Sequence, residues 1–441
     1  FGSSRPWRLE ARPPPGSMAF SPAARGTSGA MPEAKDEQIQ QMQAQIEALK
    51  AQMVSHGLRP GRAQIALLGC GRWSQGWHIP QLMANPKADL VALCGGRAVD
   101  ALSKEYGVSG YKDLDALLAD DKMVAKLDGI IIATPHAAHY AAGLRCLEKK
   151  LNIFMEKPMT TDVQEALELV VGAKKAGKTF MVNNTANWRK SAHLATTMIE
   201  RGDIGDIRHG MVMFAVPLGF LFNDPKQEGW VKPSGRMQGN GMAWGQAAHT
   251  FGWLWMVSGL TPVKVFAFHG KSLNKDSPAD VYDSASILCK NGATISVSCV
   301  GHIPGKKKHV QNRLFGSEGM LSYCGWYLID EGDDETPDAD PEGDGPLLGG
   351  AGDVPHSEGE LKLERFDGKN RTVSGFEFEN IEKGGDGPES LNAFIDACLG
   401  MKHFSGTTAK IGFLCVATID AMYRSATSGQ AEDVVLPEDL K

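Results

Sequence analysis

The spacing of hydrophobic positions changes along the chain, and its first regular part predicts alternating strands and helices. Short apolar runs occur at 64–69, 88–95, 127–135, 152–158 and 179–183, and stretches of helical periodicity lie between them at 99–108, 114–121, 138–150 and 162–176. Strands that alternate with helices at this spacing form a parallel sheet with helices on both faces. The pattern therefore predicts an α/β fold with an N-terminal, doubly wound Rossmann sheet.

The pattern differs in the second half, from about residue 206. Apolar segments with two-residue alternation are separated by turn residues and occur at 207–216, 263–268, 284–289, 294–301, 312–316 and 319–329. Such alternation is typical of antiparallel strands with one covered face. We expect a C-terminal α+β domain with a large, mostly antiparallel sheet, closed by helices at 391–400 and 409–427.

The segment before the first strand, residues 1–62, follows neither pattern. Its first 32 residues are rich in Pro, Gly, Ser, Ala and Arg, which predicts disorder. At 33–55 the apolar positions follow heptad spacing, at Ile39, Met42, Ile46, Leu49 and Met53. That seam covers fewer than three heptads, so it predicts a coiled-coil-like helix that packs on its own body or on a second copy.

A second irregular segment, residues 330–360, combines many Asp and Glu residues with Gly and Pro. This composition predicts a mobile acidic insertion. The expected organisation is an extension at 1–62, a dinucleotide-binding domain at 63–185, and a substrate and oligomerisation domain at 186–441 that carries the insertion.

Composition narrows the class of protein. The chain has 441 residues, of which 42% are hydrophobic and 22% charged, and its net charge is −6. This balance is that of a globular protein, and the acidic charge argues against a nucleic-acid binder. No apolar run reaches the roughly 18 residues that span a bilayer, so we expect no membrane partner. The eight cysteines form no CxxC pair and favour a reducing compartment, the cytoplasm, although an organellar transit peptide stays open.

A glycine-rich turn follows the first predicted strand. It consists of Gly69, Cys70, Gly71, Arg72, Trp73 and Ser74 and leads into a helical stretch. Strand, turn and helix in this order form a dinucleotide fingerprint, in which the backbone approaches the pyrophosphate and the helix N-terminus donates to it. The third position is Ser74 instead of Gly or Ala, and serine is small enough for close packing. We assign Gly69, Gly71, Arg72, Trp73 and Ser74 to cofactor binding.

The end of the second strand indicates which dinucleotide is bound. NAD sites usually carry an acidic residue there, which accepts from the ribose hydroxyls. Here the chain has Gly95, Gly96 and Arg97. An arginine without a carboxylate suits a 2′-phosphate, so we expect NADP(H) to be preferred, with Gly95 and Arg97 at the site. Arg97 as a solvated surface residue remains the alternative.

Other strand ends supply the remaining cleft residues. In a doubly wound sheet, ligands bind outside the carboxyl ends of the strands, which places Thr134, Pro135, Glu156 and Lys157 at the cleft. Residues 172–179 match a P-loop letter by letter. A P-loop needs a strand before it and a helix after it. Here the order is reversed, so we interpret Gly177 as a helix C-cap.

Several motifs together resemble a known family. The chain contains ALLGCGRWSQGWHIPQL, ATPHAAH and MEKP, followed by IERGDIGDIRHG, GNGMAWGQAAHTFGWLWMVSGL, LFGSEG and MYRSATSGQ. In this order they resemble the Gfo/Idh/MocA oxidoreductases, the family of glucose–fructose oxidoreductase and inositol dehydrogenase, over roughly residues 63–435. The resemblance implies hydride transfer between a nicotinamide cofactor and the C–OH of a sugar, polyol or related molecule.

Lys157 is the residue that we expect to act on the substrate oxygen. Its ammonium can donate to the reacting oxygen and stabilise developing negative charge, and Glu156 can orient it or contact the nicotinamide end. The resemblance places the TPxxxH residues near the cofactor, which in this chain adds His136 and His139. We interpret His78 as structural support for the first turn.

The family's second motif is a glycine-rich segment that leads to an Asp and, four residues later, a His. Here His249 is present and Gly245 stands at the Asp position. We expect His249 to be a general acid or base, although a core histidine is the alternative. Gln246 could bond a substrate hydroxyl, and Arg189, which follows the last Rossmann strand, could hold a polar substrate group. No HxxxH, HExxH or cysteine cluster occurs, so we expect no metal.

Three hypotheses of function follow. The first is an NADP(H)-dependent oxidoreductase acting on a carbohydrate-like alcohol or carbonyl through Lys157 and His249. The second is a nucleotide-binding regulator or scaffold with impaired catalysis, which Gly245 and the heptad segment motivate. The third is a nicotinamide-dependent glycosidase, as some relatives are. The resemblance also implies a homo-oligomer formed through the C-terminal sheet.

Overall fold

The computed structural model describes residues 61–223, 237, 239–305, 307–328, 358–374 and 388–438, together with positions 41, 42, 44, 45, 48, 49 and 52. Residues 1–56 and 57–441 form two units, and the fold below is that of the second. In the first unit the described positions are helical and exposed. The remainder of the extension and residues 330–357 of the acidic insertion lie outside the described residues.

Six parallel strands form the first sheet, which confirms the predicted doubly wound parallel sheet and adds a short strand at Ser109–Tyr111 that was not predicted. They are β1 Ala63–Leu68, β2 Ala88–Cys94, β3 Ser109–Tyr111, β4 Gly129–Ile132, β5 Asn152–Met155 and β6 Phe180–Val182. Their order is β3-β2-β1-β4-β5-β6, and every neighbouring pair is parallel. The order reverses between β1 and β4, so the carboxyl ends of these strands open into the crevice where doubly wound sheets bind dinucleotides.

The helices of this half match the predicted ones, with local differences. They are Ile79–Ala84, preceded by a widened turn at Ser74–His78, Val99–Tyr106, Leu114–Ala119, Asp121–Lys126, His139–Glu148 and Val163–Ala176. The single helix expected at 114–121 is wrong in its extent, because Asp120 caps a second helix by accepting from the amide of Met123. The P-loop-like segment ends a helix at Gly177, which has a φ of +62°. Its interpretation as a C-cap is confirmed.

Nine strands form the second sheet, which is antiparallel except at one pair. The strands are β7 Ile207–Ala215, β8 Pro262–Lys271, β9 Asp280–Cys289, β10 Thr294–Val300, β11 Lys307–Gly316, β12 Gly319–Leu328, β13 Glu358–Arg365, β14 Arg371–Ser374 and β15 Glu432–Asp433. Their order is β14-β13-β12-β11-β7-β10-β9-β8-β15, with β7 and β10 parallel. This confirms the mostly antiparallel sheet. The expected end of the insertion at 360 is wrong, because residues 358–360 pair with β12.

Helices from the second half pack on both sheets. They are Lys190–Glu200, Gly219–Asn223, Ala248–Ser258, Glu389–Cys398 and Ala409–Ser428. The helix Glu389–Cys398 covers one face of the parallel sheet, where Phe394 stacks on Phe154 at 5.3 Å between ring centroids. The helix Ala409–Ser428 contacts both β6 and β8, so the two sheets share a continuous core. None of the described helices is long and apolar enough to cross a membrane.

Candidate active site

The glycine-rich turn after β1 leaves open space at the carboxyl edge of the parallel sheet. Gly69 has a φ of +100°, and a Cβ there would collide with the carbonyl oxygen of Ala133. A Cβ at Gly71 would meet no atom within 4 Å, so this backbone is open to an approaching group. The buried Ser74 hydroxyl donates to the Gly69 carbonyl and ties the helix to the turn.

The end of β2 lies beside this turn. Gly95 and Gly96 have φ values of +69° and +94°, and a Cβ on Gly96 would press on Cys70. Arg97 follows and is exposed, while Arg72 within the turn is half-buried. Two arginines therefore flank the position that the sequence assigned to the cofactor.

Glu156, at the end of β5, is the acceptor on which several side chains converge. Its Oε1 accepts from Trp73 Nε1 at 2.7 Å and from Asn183 Nδ2 at 2.7 Å, and lies 2.9 Å from His78 Nε2. Its Oε2 accepts from the amide of Lys157 at 3.2 Å. The carboxylate is occupied by protein donors, so Glu156 can orient its neighbours but has little capacity left for a cofactor. His78 supports the site as expected, through a contact that no local motif indicates.

The donors around Glu156 also fix its charge. Burial raises the pKa of a carboxyl, but here the hydrogen bond and charge of His78, the hydrogen bond of Asn183 and the charge of Lys157 outweigh it and lower the pKa of Glu156 to about 2. Glu156 is only 9% exposed. The site therefore contains a buried carboxylate next to Lys157 that is ionised at neutral pH.

Lys157 connects the parallel sheet to the glycine-rich segment of the second half. Its Nζ donates to the carbonyl oxygen of Gly245 at 2.7 Å. Gly245 lies in a helical turn at Ala243–Ala247 that continues as Ala248–Ser258. Gln246 and His249 follow on it and line a cleft, with His249 about one turn beyond Gly245. The contact therefore ties Lys157 to the segment that carries Gln246 and His249.

The residues after β4 that the sequence assigned to the cofactor are only partly available to a ligand. The buried Oγ1 of Thr134 has no hydrogen-bond partner among the described residues, whereas Pro135 is exposed. Burial, and then the charges of His139 and Lys157, lower the pKa of His136 well below its ordinary value. His139 is fully buried, and its two ring nitrogens lie 2.8 Å and 2.9 Å from the carbonyl oxygens of Thr134 and Pro158. It fixes these two loops and has no nitrogen left for a cofactor.

A small cleft opens beside His249, and the described residues that line it lie between Thr185 and Tyr323, so Lys157 is not among them. Its described wall includes the expected Arg189, Gln246 and His249, and the unexpected Lys308, Asn312, Trp253 and Tyr323. Lys308 was missed because the strand was expected to begin at 312, whereas β11 begins at Lys307, and Asn312 was expected only as a strand residue. The alternation of Lys308, Val310 and Asn312 on one face was the available signal.

A buried polar cluster supports the segment that carries Gly245. The Oδ2 of Asp280 accepts from the amide of Ala243 at 2.8 Å, and its Oδ1 accepts from the hydroxyl of Tyr423. Asp283 Oδ1 lies 2.7 Å from His269 Nδ1. Burial, and then the charge of Asp280, raise the pKa of Asp283 well above its ordinary value.

We expected no metal site from the sequence, yet this cluster contains residues of the types that bind metals. Potential ligand atoms of His269, Asp280 and Asp283 lie within 4.8 Å of one another. The expectation rested on local sequence motifs, whereas the pairing of β8 with β9 sets His269 opposite Asp283. The contacts of Asp280 with Ala243 and Tyr423, and of Asp283 with His269, already account for how these groups are arranged.

The residues at the strand ends fit a nicotinamide dinucleotide. The open backbone at Gly71, the unpartnered Oγ1 of Thr134 and the helix that begins at Ser74 together offer amide and hydroxyl groups toward the crevice. The arginines at positions 72 and 97 add positive charge. The same crevice opens toward Lys157.

Comparison with known proteins also indicates a dinucleotide-binding oxidoreductase. Residues 63–184 match a model described as an oxidoreductase family with an NAD-binding Rossmann fold, and residues 193–322 match the GFO/IDH/MocA C-terminal domain. A glycosyl hydrolase family 109 protein of Akkermansia muciniphila is 25% identical over 192 residues, 42% of this chain and 40% of that protein. D-glucoside 3-dehydrogenase of Escherichia coli is 26% identical over 162 residues, 36% and 44% of the two chains.

Both curated relatives are matched over less than half of their own length. The crystal structure of an aldose-aldose oxidoreductase from Caulobacter crescentus, complexed with glycerol, has a TM-score of 0.61 and 16% identity, covering 84% of this chain and 99% of that one. That likeness concerns the fold. The two family models together span more than half of the sequence, and the chain belongs to the GFO/IDH/MocA oxidoreductase family.

Proposed function

We propose that this protein is an NADP(H)-dependent oxidoreductase that transfers hydride between nicotinamide and the C–OH or C=O of a sugar, polyol or related small molecule. One observation carries the proposal: Lys157 Nζ lies 2.7 Å from the Gly245 carbonyl, on the helical segment that brings Gln246 and His249 to the cleft. This contact supports a shared site for the lysine of the cofactor half and the histidine of the second half.

The residues of the chain divide the work as follows. When bound, the nicotinamide supplies or accepts the hydride. Lys157 donates to the substrate oxygen and stabilises the negative charge that develops there. His249 exchanges the hydroxyl proton as general base or acid, and Gln246 orients a hydroxyl. Glu156 holds a fixed negative charge beside Lys157 without taking up a proton at neutral pH.

Gly245 changes how the lysine is held. A carboxylate at this position could both orient Lys157 and exchange a proton, whereas the carbonyl oxygen of Gly245 can only accept a hydrogen bond. His249 is then the proton-exchanging side chain of the segment. A catalytically impaired regulator remains the alternative, and it predicts tight NADPH binding without turnover.

The test is turnover of NADPH and NADP⁺ with a panel of sugars, polyols and their keto forms. Lys157→Met should lower kcat by about 10²–10⁴-fold, because a positioned donor to the reacting oxygen is lost. Lys126→Met replaces an exposed lysine and should leave kcat unchanged. Equal rates for Lys157→Met and wild type would refute the role of Lys157, and sugar release without net cofactor consumption would favour a glycosidase.

NADP(H) preference rests on Arg97 and on the absence of a carboxylate after β2. Gly95 and Gly96 precede Arg97, and all three lie beside the glycine-rich turn. Arg97→Gln should weaken NADPH binding about tenfold through the lost charge-assisted bonds to the 2′-phosphate, and leave NADH binding unchanged. Tighter binding of NADH than of NADPH by the wild type would refute the preference.

We also propose a homo-oligomer formed through the open face of the nine-stranded sheet. Phe266 and Phe268 project from the same face of β8 and are 37% and 61% exposed. Leu288 on β9 and Met211 on β7 add exposed apolar surface. Phe268→Asp should shift the mass in multi-angle light scattering toward the monomer, whereas removal of residues 1–56 tests the heptad segment separately.

The proposed location is the cytoplasm. All eight cysteines are free and none is exposed, as expected in a reducing compartment.

A further inference from the structure

One face of β11 forms a wall of the cleft. Lys308, Val310 and Asn312 alternate along the strand and all three line the cleft. Gln311 and Arg313 lie on the opposite face of the sheet, where they line a separate depression. This division follows from the two-residue period of a strand, so the register of β11 brings Lys308 to the cleft.

The charges of the cleft wall have one sign. Arg189, which precedes the helix Lys190–Glu200, lines the same cleft as Lys308, and both side chains are half-buried. None of the described residues that line the cleft is Asp or Glu. Arg189 and Lys308 thus bring two cationic groups to the described part of the wall, and cationic groups attract an anion.

The same wall offers a buried polar group. Asn312 is 3% exposed, and its Oδ1 has no hydrogen-bond partner among the described residues. Since the two ends of an amide are assigned from the surrounding hydrogen bonds, Asn312 can present either its oxygen or its nitrogen to a ligand. A buried polar atom without a partner is costly, so a ligand hydroxyl or oxyanion here supplies the missing hydrogen bond.

Aromatic side chains complete the cleft. Trp253 and Tyr323 are stacked with their ring centroids 6.4 Å apart, and both rings line the cleft. Flat apolar surfaces next to polar groups suit the C–H face of a sugar ring. The cleft therefore combines a surface for a ring, a hydrogen-bonding amide and two cations.

We propose that the substrate is a carbohydrate-like molecule that carries an anionic group, a carboxylate or a phosphate ester, held by Arg189 and Lys308. Asn312 bonds a hydroxyl or the anionic group, and His249 and Gln246 remain for the reacting carbon. The proposal rests on the proposed oxidoreductase function for the reaction, but its recognition step is a binding event that is measured without turnover.

The experiment compares glucose, glucuronate and glucose 6-phosphate as matched ligands. Their affinity for the NADPH-loaded protein is measured by calorimetry, and kcat/KM is measured for each that turns over. One of the two acids should bind at least about tenfold more tightly than glucose. Glucuronate as the tighter ligand identifies a carboxylate site and glucose 6-phosphate a phosphate site.

Two variants and one control assign the effect to the cleft. Lys308→Gln and Arg189→Gln should each weaken acid binding about 10–100-fold more than glucose binding, and Lys308→Arg should restore most of the loss. Lys290→Gln replaces an exposed lysine on the turn after β9 and should leave every affinity unchanged. Thermal unfolding of each variant confirms that it folds.

The outcomes separate this proposal from the proposed function. Equal affinity for glucose and both acids, or acid binding that Lys308→Gln and Lys290→Gln alter equally, overturns the proposal. Acid binding that depends on Lys308 supports it even if no sugar turns over, in which case the oxidoreductase function fails alone. Turnover of neutral sugars without a preference for acids overturns the substrate class and leaves the oxidoreductase function intact.

Discussion

Two buried carboxyl groups, one under each half of the site, have pKa values that are shifted in opposite directions. Glu156 and Asp283 are 9% and 3% exposed, yet the pKa of Glu156 is lowered and that of Asp283 is raised. Glu156 is surrounded by donors from Trp73, His78 and Asn183. Asp283 has a like charge, Asp280, as its neighbour. Burial alone does not set the charge of a carboxyl; its hydrogen-bond donors and neighbouring charges decide it.

The two groups therefore serve the site differently. Glu156 supplies a fixed negative charge next to Lys157 at the end of β5. Asp283, whose raised pKa favours its neutral form, lies in a cluster whose other acid, Asp280, holds the amide of Ala243 at the start of the segment with Gly245. Glu156 therefore contributes to the charge of the site, whereas Asp283 belongs to the cluster that holds the segment with Gly245 in place.

The largest expected effect is on stability when Glu156 loses its charge. Glu156→Gln removes the negative charge and replaces one of the two acceptor oxygens by an NH2 donor, so at least one buried donor loses its acceptor. We expect the free energy of unfolding to fall by about 3–5 kcal/mol. Urea unfolding at pH 7 measures it. Glu200→Gln, at an exposed position, should change it by less than about 0.5 kcal/mol. If Glu156→Gln lost no more stability than Glu200→Gln, the hydrogen bonds described around Glu156 would be contradicted.

The pH dependence of this effect follows from the direction of the shift. The pKa of Glu156 is about 2 in the folded protein, against an ordinary value of 4.5. Its stabilisation is therefore fully present above pH 4.5 and is lost as the pH falls toward 2, a change of roughly 3 kcal/mol. The difference between wild type and Glu156→Gln should shrink over that range. A difference that stays constant from pH 6 to pH 3 would argue against it.

An intermediate effect is expected at Asp280. Its two oxygens accept from the Ala243 amide and the Tyr423 hydroxyl, and Asp280→Asn replaces one acceptor by a donor. We expect a loss of about 1–3 kcal/mol in the free energy of unfolding. A higher KM should accompany it, because the Ala243–Ala247 turn carries Gln246 into the cleft. Unchanged stability would show that these hydrogen bonds do not hold the turn.

The smallest effect is expected at Asp283, because its raised pKa favours a neutral carboxyl, which an asparagine side chain resembles in size and charge. Asp283→Asn should change the free energy of unfolding by less than about 1 kcal/mol at pH 5. The sign of the pH effect is opposite to that of Glu156: a raised pKa makes the wild type lose stability as the pH rises above the ordinary value of 3.8. The free energy of unfolding of Asp283→Asn should therefore rise relative to that of the wild type between pH 5 and pH 8. If Asp283→Asn instead became less stable relative to the wild type over that range, Asp283 would be ionised.

Local patterns in the sequence predict the parallel half well. The turn at Gly69–Ser74, the strand ends at Thr134 and Lys157, and the helix cap at Gly177 all follow from short-range residue spacing, since each is a local structure. Several contacts of the candidate site do not follow from short-range residue spacing. His78 reaches Glu156 from 78 residues away, and Lys308 reaches the cleft through the register of β11. Such contacts depend on how distant elements pack, which no local period records.

The proposed hydride transfer is tested most directly with NADPH that carries deuterium at the reactive nicotinamide carbon. The keto forms of the sugar panel are incubated with it, and the products are analysed by mass spectrometry. We predict deuterium on the carbinol carbon of at least one product, with transfer about 10²-fold slower in Lys157→Met at unchanged NADPH affinity. Tight NADPH binding by the wild type with no label in any product would contradict the account.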